Sequence, residues 1–287
     1  MQRAYIRAQM GEGLFTFFRA VVIILSLLFV IVPLVWLFIN SIKMPLEWLS
    51  IPPVIIPSKI TFENYIQLFT NPYSDVLLCL KNSIIITLAA TTLSVLIGSL
   101  AAYSLTHLQL PFKIVPVLAG MVLLLGFYPK ITAVIPYFVI MRNLGLMDTQ
   151  IAIIIAFVGL NLPRTVWLMM TFYEELPKEI EQSAMLDGCG PWGRFYKIVL
   201  PLAAPGMAVA AILSALLCWI EFMIASSLAI VNAKTLPIAV SAYLQDKGMH
   251  WGPMSALGTL TVVPVIFFCI FVQKYLVRGL TFGAIKE

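Results

Sequence analysis

Residues 176–201, LPKEIEQSAMLDGCGPWGRFYKIVLP, form the longest polar stretch with an ordered pattern between two apolar runs of the chain. Pro177 suits the start of a helix, and Glu179 and Glu181 follow in a first turn, where carboxylates interact favourably with the helix dipole. Gly188 then breaks the pattern, as glycine commonly does at the end of a helix. The first half of the stretch therefore predicts a short helix that ends before Gly188.

The second half predicts another helix, which Pro191 can begin after Gly190. Four apolar residues recur at three- and four-residue spacing and would form one apolar face: Trp192, Phe195, Tyr196 and Val199. Pro201 is expected to end this helix. The two halves together predict a compact helix–turn–helix beside a membrane, and small residues near its apex would let another surface come close: Ser183, Ala184 and Gly188.

The composition is that of an integral membrane protein. Of the 287 residues, 61% are hydrophobic and 11% are charged, and the mean hydropathy is +0.99. A soluble domain carries roughly 25% charged residues. The net charge of +5 fits loops that lie beside lipid better than it fits binding of nucleic acid. The spacing of the cysteines fits no metal site, so we interpret them as packing residues: Cys79, Cys189, Cys218 and Cys269.

Six apolar segments have about the length that a helix needs to cross a bilayer, roughly 20 residues each. Their approximate ranges are 20–39, 83–105, 114–141, 151–172, 207–229 and 256–275. Prolines are expected to interrupt the third at Pro129 and Pro136 and the fourth at Pro163, while Pro264 lies inside the sixth. The sequence therefore predicts an all-α integral membrane protein with about six transmembrane helices, and the length of the first apolar run argues against a cleavable signal peptide.

These segments divide the chain into a short N-terminal segment and one transmembrane domain. The expected parts are the segment 1–18, the domain 19–286, a loop at 173–202, connections at 42–80 and 230–254, and a tail at 277–287. Lysine and arginine are enriched in cytoplasmic loops. With the N-terminus inside, ten lie in inner segments: Arg3, Arg7, Arg19, Lys113, Lys178, Arg194, Lys197, Lys274, Arg278 and Lys286. Six then lie in outer segments: Lys43, Lys59, Lys81, Arg142, Lys234 and Lys247. This orientation places the loop and both termini in the cytoplasm and the two connections outside.

The loop at 173–202 resembles the EAA loop of ABC-transporter permease subunits, whose core is roughly E-A-A-x-x-x-G, often with Asp before the Gly. The matching residues are Gln182, Ser183, Ala184, Asp187 and Gly188, of which Gln182 and Ser183 depart from Glu and Ala. We call residues 173–202 the EAA-like loop. Four further segments resemble carbohydrate permeases of the maltose type: 61–65, 136–149, 219–222 and 276–286, with Ile220 in place of Asn in a W-N-E-F segment.

The resemblance implies a machine made of several subunits. In that family the EAA loop docks in a cleft of a cytoplasmic ATPase, so it implies a coupling role for Glu181, Gln182, Ser183, Ala184, Asp187 and Gly188. The implied partners are a second, homologous permease subunit, an ATPase homodimer at the cytoplasmic face, an external solute-binding protein and the lipid of a bacterial inner membrane.

The implied energy source is also a partner. The chain has no G-x-x-x-x-G-K-[ST] phosphate loop, so ATP and magnesium are expected on the ATPase subunits. We therefore expect a transport subunit that is not itself an enzyme, with no catalytic residue, cofactor or metal of its own.

Three charged residues fall within the predicted spans: Lys130, Arg164 and Glu221. A charge at the centre of a membrane helix costs about 2.5–3.5 kcal/mol on insertion scales, so each needs a partner or water. One interpretation is a structural ion pair between Arg164 and Glu221. The other is that Lys130 or Arg164 faces the translocation pathway and attracts an acidic sugar such as a uronate oligosaccharide. Neutral maltose-type sugars and glycerol phosphate compounds are the alternative substrates for the same machine.

Two other classes of protein remain to be weighed. A secondary transporter that acts alone would be expected to carry inverted repeats, and no clear internal repeat is present. A membrane-embedded enzyme would need a cluster of His, Asp or Glu at depth, whereas the two histidines, His107 and His250, are both predicted in connections. Co-purification with an ATPase would distinguish a subunit of an ABC importer from both of these classes.

Overall fold

The structure is a computed structural model that describes residues 2–71, 74–108, 114–245 and 248–282. In its first half the helices are α1 (Gln2–Ser41), a 3-10 turn (Pro45–Glu47), α2 (Glu63–Thr70), α3 (Val76–His107), α4 (Ile114–Gly126) and α5 (Lys130–Asn143). Next come α6 (Gln150–Glu174), α7 (Lys178–Leu186), α8 (Pro191–Arg194), a π-helical turn (Phe195–Val199), α9 (Leu200–Leu202) and α10 (Ala204–Trp219). The remaining elements are α11 (Met223–Leu228), α12 (Leu236–Ala242), β1 (Leu244–Gln245), β2 (Gly248–Met249) and α13 (Trp251–Phe282).

The prediction of an all-α membrane protein is confirmed. By length and composition, four helices in the described part of the chain can cross a membrane: Phe15–Ser41 of α1, α3, α6 and Trp251–Phe271 of α13. Two bent pairs raise the number to as many as six, namely α4 with α5 at 95° and residues 191–202 with α10 at 76°. The strands β1 and β2 pair only Leu244 with Met249 and Gln245 with Gly248, so they form a small hairpin within a helical fold.

The chain divides into two compact units, of which the first comprises Met1–Pro72 and Tyr243–Leu260. Within it, α2 is tied to the end of α1, because the buried amide of Asn64 donates to the carbonyl oxygens of Ser41 at 2.8 Å and Lys43 at 3.3 Å. The side chain of Lys43 is itself buried, with its Nζ 4.1 Å from the centre of the Trp36 ring. The most apolar window of α1 contains no buried residue, so that helix presents its apolar surface outward.

The second unit comprises Tyr73–Ala242 and Thr261–Glu287. Its centre is formed by α3 and α6, which pack along each other, with α10 against both. Gly98 of α3 permits the close approach, because a Cβ there would lie 2.7 Å from the side chain of Thr165. Two buried clusters occupy this unit: one includes Ile86, Met141, Ile153, Phe157, Ile224 and Leu228, and the other includes Val95, Tyr103, Val166, Met169, Tyr173, Phe195 and Val199.

The predicted span 207–229 is wrong as one continuous helix. Helix α10 ends at Trp219 and α11 begins at Met223. The buried carboxylate of Glu221 lies in the break and accepts the backbone N–H groups of Ile224 at 3.2 Å and Ala225 at 3.1 Å. An acidic cap on a new helix start stabilises the break, and apolar character alone does not predict it.

The expected proline interruptions are only partly correct. The third apolar segment does break before Lys130, at the bend between α4 and α5. In contrast, Pro136 and Pro163 lie inside continuous helices, and Pro264 lies inside α13 as expected. A proline removes one backbone hydrogen bond, and packing against neighbouring helices can compensate for that loss.

The boundaries near the ends of other elements also differ from expectation. Helix α1 already includes residues 2–18, and α13 continues through 277–282, which were expected in the tail, while 283–287 lie outside the described residues. His107 is the last residue of α3 and not part of a connection. The expected end of the second loop helix at Pro201 is confirmed to within one residue, because α9 ends at Leu202 and the chain bends by 76° before α10. The π-helical turn before it, in which the N–H of Leu200 bonds to the carbonyl of Phe195, was not expected.

Candidate functional sites

The EAA-like loop forms the predicted helix–turn–helix, with α7 and α8 separated by a glycine turn. Gly188 has a φ of +80°, in the left-handed region that glycine adopts without a steric cost. The N–H of Gly188 bonds to the carbonyl of Met185 at 3.0 Å, and the N–H of Cys189 bonds to the carbonyl of Ala184 at 2.9 Å. This is the hydrogen-bond pattern of a Schellman motif, and it fixes the direction in which the chain leaves α7.

One side of the EAA-like loop is exposed and partly apolar. Among the predicted coupling residues, Gln182, Ser183, Asp187 and Gly188 are exposed, whereas Ala184 is buried. Large exposed apolar side chains lie beside them: Ile180, Met185, Leu186, Trp192 and Tyr196. The rings of Trp192 and Tyr196 stack with centroids 6.1 Å apart. The expected apolar face of the second helix is therefore divided, because Phe195 and Val199 are buried while Trp192 and Tyr196 face outward.

Glu181 differs from the other predicted coupling residues, because its buried carboxylate makes polar contacts with side chains of two other elements. The hydroxyl of Tyr103 donates to Glu181 Oε1 at 2.7 Å, and His107 Nδ1 contacts Oε2. Arg194 Nη1 lies 3.4 Å from Oε1. The sequence offered no signal for this cluster beyond a single histidine near the end of an apolar segment, so Tyr103, His107 and Arg194 were not predicted.

The structure brings Lys130 and Arg164 to one cavity. This cavity of about 210 Å³ lies in the second unit, and its lining also includes Tyr128, Tyr137 and apolar residues. Arg164 additionally lines a larger neighbouring cavity of about 610 Å³, whose wall is mostly apolar and includes Trp167. An Arg164 guanidinium N–H points to the carbonyl oxygen of Gly126 at 3.5 Å, at the end of α4.

Glu221 belongs to neither cavity lining. Its carboxylate is used by the N–H groups of α11, as described above. Among the described residues, the ion pairs are His107–Glu181, Arg194–Glu181 and Lys234–Asp75, and none joins Arg164 to Glu221.

At the other end of α3, a second set of polar contacts fixes the segment 230–236. Asp148, at φ +59°, accepts hydrogen bonds from four successive backbone N–H groups, those of residues 230–233. The amide of Asn82 donates to the carbonyls of Asn232 and Lys234, and the N–H of Leu236 bonds to the hydroxyl of Ser83. Burial would raise the pKa of Asp148, but these four backbone hydrogen bonds outweigh it and hold the pKa well below its usual range.

The apolar spans, the structured polar loop between them and the cavity that contains Lys130 and Arg164 are the features of a multi-pass membrane protein with a polar internal site. The sequence matches the family described as "Binding-protein-dependent transport system inner membrane component" over residues 83–282. The chain belongs to this family of multi-pass membrane proteins.

Curated relatives and solved structures agree with that membership. The sulfoquinovosyl glycerol transport system permease protein SmoH of Agrobacterium fabrum is 33% identical over 255 residues, which are 88% of each chain. The trehalose transport system permease protein SugB of Mycobacterium tuberculosis is 34% identical over 262 residues, or 90% of this chain and 93% of the relative. A chain of a bacterial ABC transporter involved in the import of the acidic polysaccharide alginate has the same fold, with a TM-score of 0.78 at 21% identity over 92% of this chain and 97% of that one.

Proposed function

We propose that the chain is a permease subunit of a binding-protein-dependent ABC importer, that its substrate is a carbohydrate, and that this carbohydrate is an acidic oligosaccharide. The carbohydrate class is supported by relatives whose names specify sulfoquinovosyl glycerol and trehalose. The acidic class rests on one observation, the presence of Lys130 and Arg164 in the lining of the same cavity. The similarity to the alginate transporter is a similarity of fold, so it is no evidence for the substrate of this chain.

The charge balance of the cavity favours an anion. The linings that the structure describes for the two cavities contain Lys130 and Arg164 and no carboxylate. A charge at the centre of a membrane helix costs about 2.5–3.5 kcal/mol on insertion scales. A substrate carboxylate would offset part of that cost. Arg164 can bind it through two parallel hydrogen bonds, which the point charge of a lysine reproduces poorly.

Membership of the family supports a larger assembly around this subunit. The exposed part of the EAA-like loop, with Gln182, Ser183, Asp187 and Gly188, would dock on an ATPase pair that binds ATP and magnesium. A second permease subunit would complete the pathway, and an external binding protein would deliver the sugar. In this arrangement ATP binding reopens the two permeases to the outside, and hydrolysis resets them.

Uptake by the reconstituted complex tests the substrate. Acidic and neutral oligosaccharides of equal length would be compared in proteoliposomes that contain wild type, Arg164→Met, Arg164→Lys or Arg142→Met. Arg142 is an exposed arginine at the end of α5 that lines neither cavity, so its replacement controls for the loss of one positive charge. Arg164→Met should reduce uptake of the acidic sugar about tenfold or more, as expected for the loss of a charged hydrogen-bonded contact. Arg164→Lys should retain part of it.

The outcomes separate the levels of the proposal. Equal loss of uptake for acidic and neutral sugars, together with a lower yield of complex, would mean that Arg164 is structural. Uptake of neutral sugars alone by the wild type would overturn the acidic class and leave the carbohydrate importer intact. ATP-independent uptake would overturn the importer itself.

A further inference from the structure

Helix α7 is held to the protein by very few of its own side chains. Of those that the structure describes, Glu181 and Ala184 are buried, and the others are exposed. Ala184 can contribute only a small apolar contact. The polar attachment of α7 therefore depends on Glu181, which lies in the first turn of the helix.

The partners of Glu181 belong to two elements, a membrane-spanning helix and the second helix of the EAA-like loop. Tyr103 and His107 belong to the last turns of α3, a membrane-spanning helix, and Arg194 belongs to α8 within the EAA-like loop. We call these four residues the Glu181 junction. One carboxylate thus connects α7, α8 and α3.

The ring of His107 is held at both of its nitrogen atoms. His107 Nε2 lies 3.2 Å from the carbonyl oxygen of Tyr173. The other ring nitrogen, Nδ1, contacts the carboxylate of Glu181. The His107 ring also stacks on Tyr103, with centroids 5.3 Å apart, which fixes its orientation.

We propose that Glu181 is the positioning residue through which movement of the EAA-like loop is transmitted to α3. Hydrogen bonds that involve a charged group are about twice as strong as neutral ones, and the buried site shields them from water. Movement of α7 therefore reaches the end of α3 through this junction, while the exposed side chains of Gln182 and Ser183 remain available for the ATPase. This inference rests on the proposed function of the chain in an ATP-driven importer.

The test measures the number of substrate molecules transported per ATP hydrolysed in the full reconstituted complex. Glu181→Gln keeps the shape and removes the charge, and it should lower this ratio about fivefold or more, the scale of a typical coupling free energy between sites. Complex yield and basal ATP hydrolysis are measured alongside, because the change also leaves the buried Arg194 without its charged partner. Glu179→Gln is the matched control, because Glu179 lies in the same first turn with an exposed side chain, and it should leave the ratio unchanged.

A purely structural role would give a different pattern, in which yield, hydrolysis and transport fall together while the ratio stays constant. That result, or an unchanged ratio, overturns the inference. If Glu181→Gln does not assemble, Tyr103→Phe removes only one hydrogen bond to the same carboxylate and should lower the ratio in the same direction; an unchanged ratio in that variant also overturns it. Absence of ATP-dependent uptake in the wild-type complex would instead contradict the proposed function.

Discussion

A single carboxylate, that of Asp148, fixes a segment more than 80 residues away in the sequence. Asp148→Asn should lower the free energy of unfolding by about 1–3 kcal/mol, because four backbone N–H groups lose a charged acceptor. Asn tolerates the positive φ of this position, so the change isolates the charge from backbone strain. The thermal midpoint of the purified protein in detergent measures the loss.

The difference in unfolding free energy between wild type and Asp148→Asn should depend on pH in a defined direction. Since the pKa of Asp148 is lower in the folded than in the unfolded protein, its contribution is complete above the ordinary aspartate value of about 3.9. The contribution is lost as the pH falls toward the lower, folded-state pKa. The gap between wild type and variant should therefore be constant from about pH 5 upward and narrow in stronger acid. Asp75→Asn is the control, because the exposed pair with Lys234 contributes little; an equal loss in both variants would contradict the role of the backbone contacts.

At this scale the sequence identifies charged residues but not their neighbours. Lys130, Arg164 and Glu221 are recognisable because charges are rare in apolar segments. Their different environments depend on the 95° bend after α4 and on the break after Trp219, which no local pattern specifies. Glu181 was predicted as a coupling residue from the motif, yet its burial depends on Tyr103, which is far away in the sequence.

Among the elements, the glycine turn after α7 gives the sharpest prediction. Gly188→Val should distort the turn, because a β-branched residue is strongly disfavoured at φ +80°, at a cost of about 1–2 kcal/mol. Gly188→Asn should be tolerated better, because asparagine adopts this region more readily. Substrate-stimulated ATP hydrolysis by the complex is the measurement, and the valine variant should lose the stimulation while its complex still assembles.

The same pair of variants also tests the mechanism of that loss. Apart from its two neighbours in the chain, no described residue has a heavy atom within 4 Å of a Cβ built on Gly188, so a clash with these residues is not the cause. Equal loss of stimulation in the asparagine and valine variants would show that the loss arises from contact with another subunit and not from the backbone conformation of the turn.

Elements with strong local signals were predicted well, and those that depend on packing were not. Gly188, Gly190 and Pro191 mark the ends of two short helices, and the structure has both. The three prolines inside α5, α6 and α13 indicate which hydrogen bond is missing, but whether the helix breaks depends on its neighbours. Glu221 shows the opposite effect. Its carboxylate caps the start of α11 and so divides a segment that hydropathy alone predicts as one continuous helix.

At the scale of the whole molecule, the two ends of α3 define the expected topology. The Glu181 junction lies at the C-terminal end of this 32-residue helix, and Asn82 binds the segment 230–236 near its N-terminal end. A helix of this length spans the bilayer, so the two sites should lie on opposite sides of the membrane. We expect Ser183→Cys to be labelled only from the cytoplasm and Val231→Cys only from outside, as measured with a membrane-impermeant thiol reagent in intact cells.

Two native cysteines must be replaced before this labelling experiment. Cys79 and Cys218 are buried, whereas Cys189 and Cys269 are at least partly accessible and should first be replaced by alanine. Labelling of both sites after permeabilisation is the positive control. If intact cells react at position 183 and not at 231, the orientation is reversed, and an ATPase in the cytoplasm could not reach the EAA-like loop.

The π-helical turn Phe195–Val199 controls the angular phase of the second loop helix. A π turn accommodates one residue more than an α turn, and one residue corresponds to about 100° of rotation about a helix axis. Trp192, which precedes the turn, is therefore rotated relative to α9 by about this angle compared with its position in an unbroken α-helix. The direction of the loop's outward aromatic surface therefore depends on the hydrogen-bond pattern of this one turn as well as on the side chains that form it.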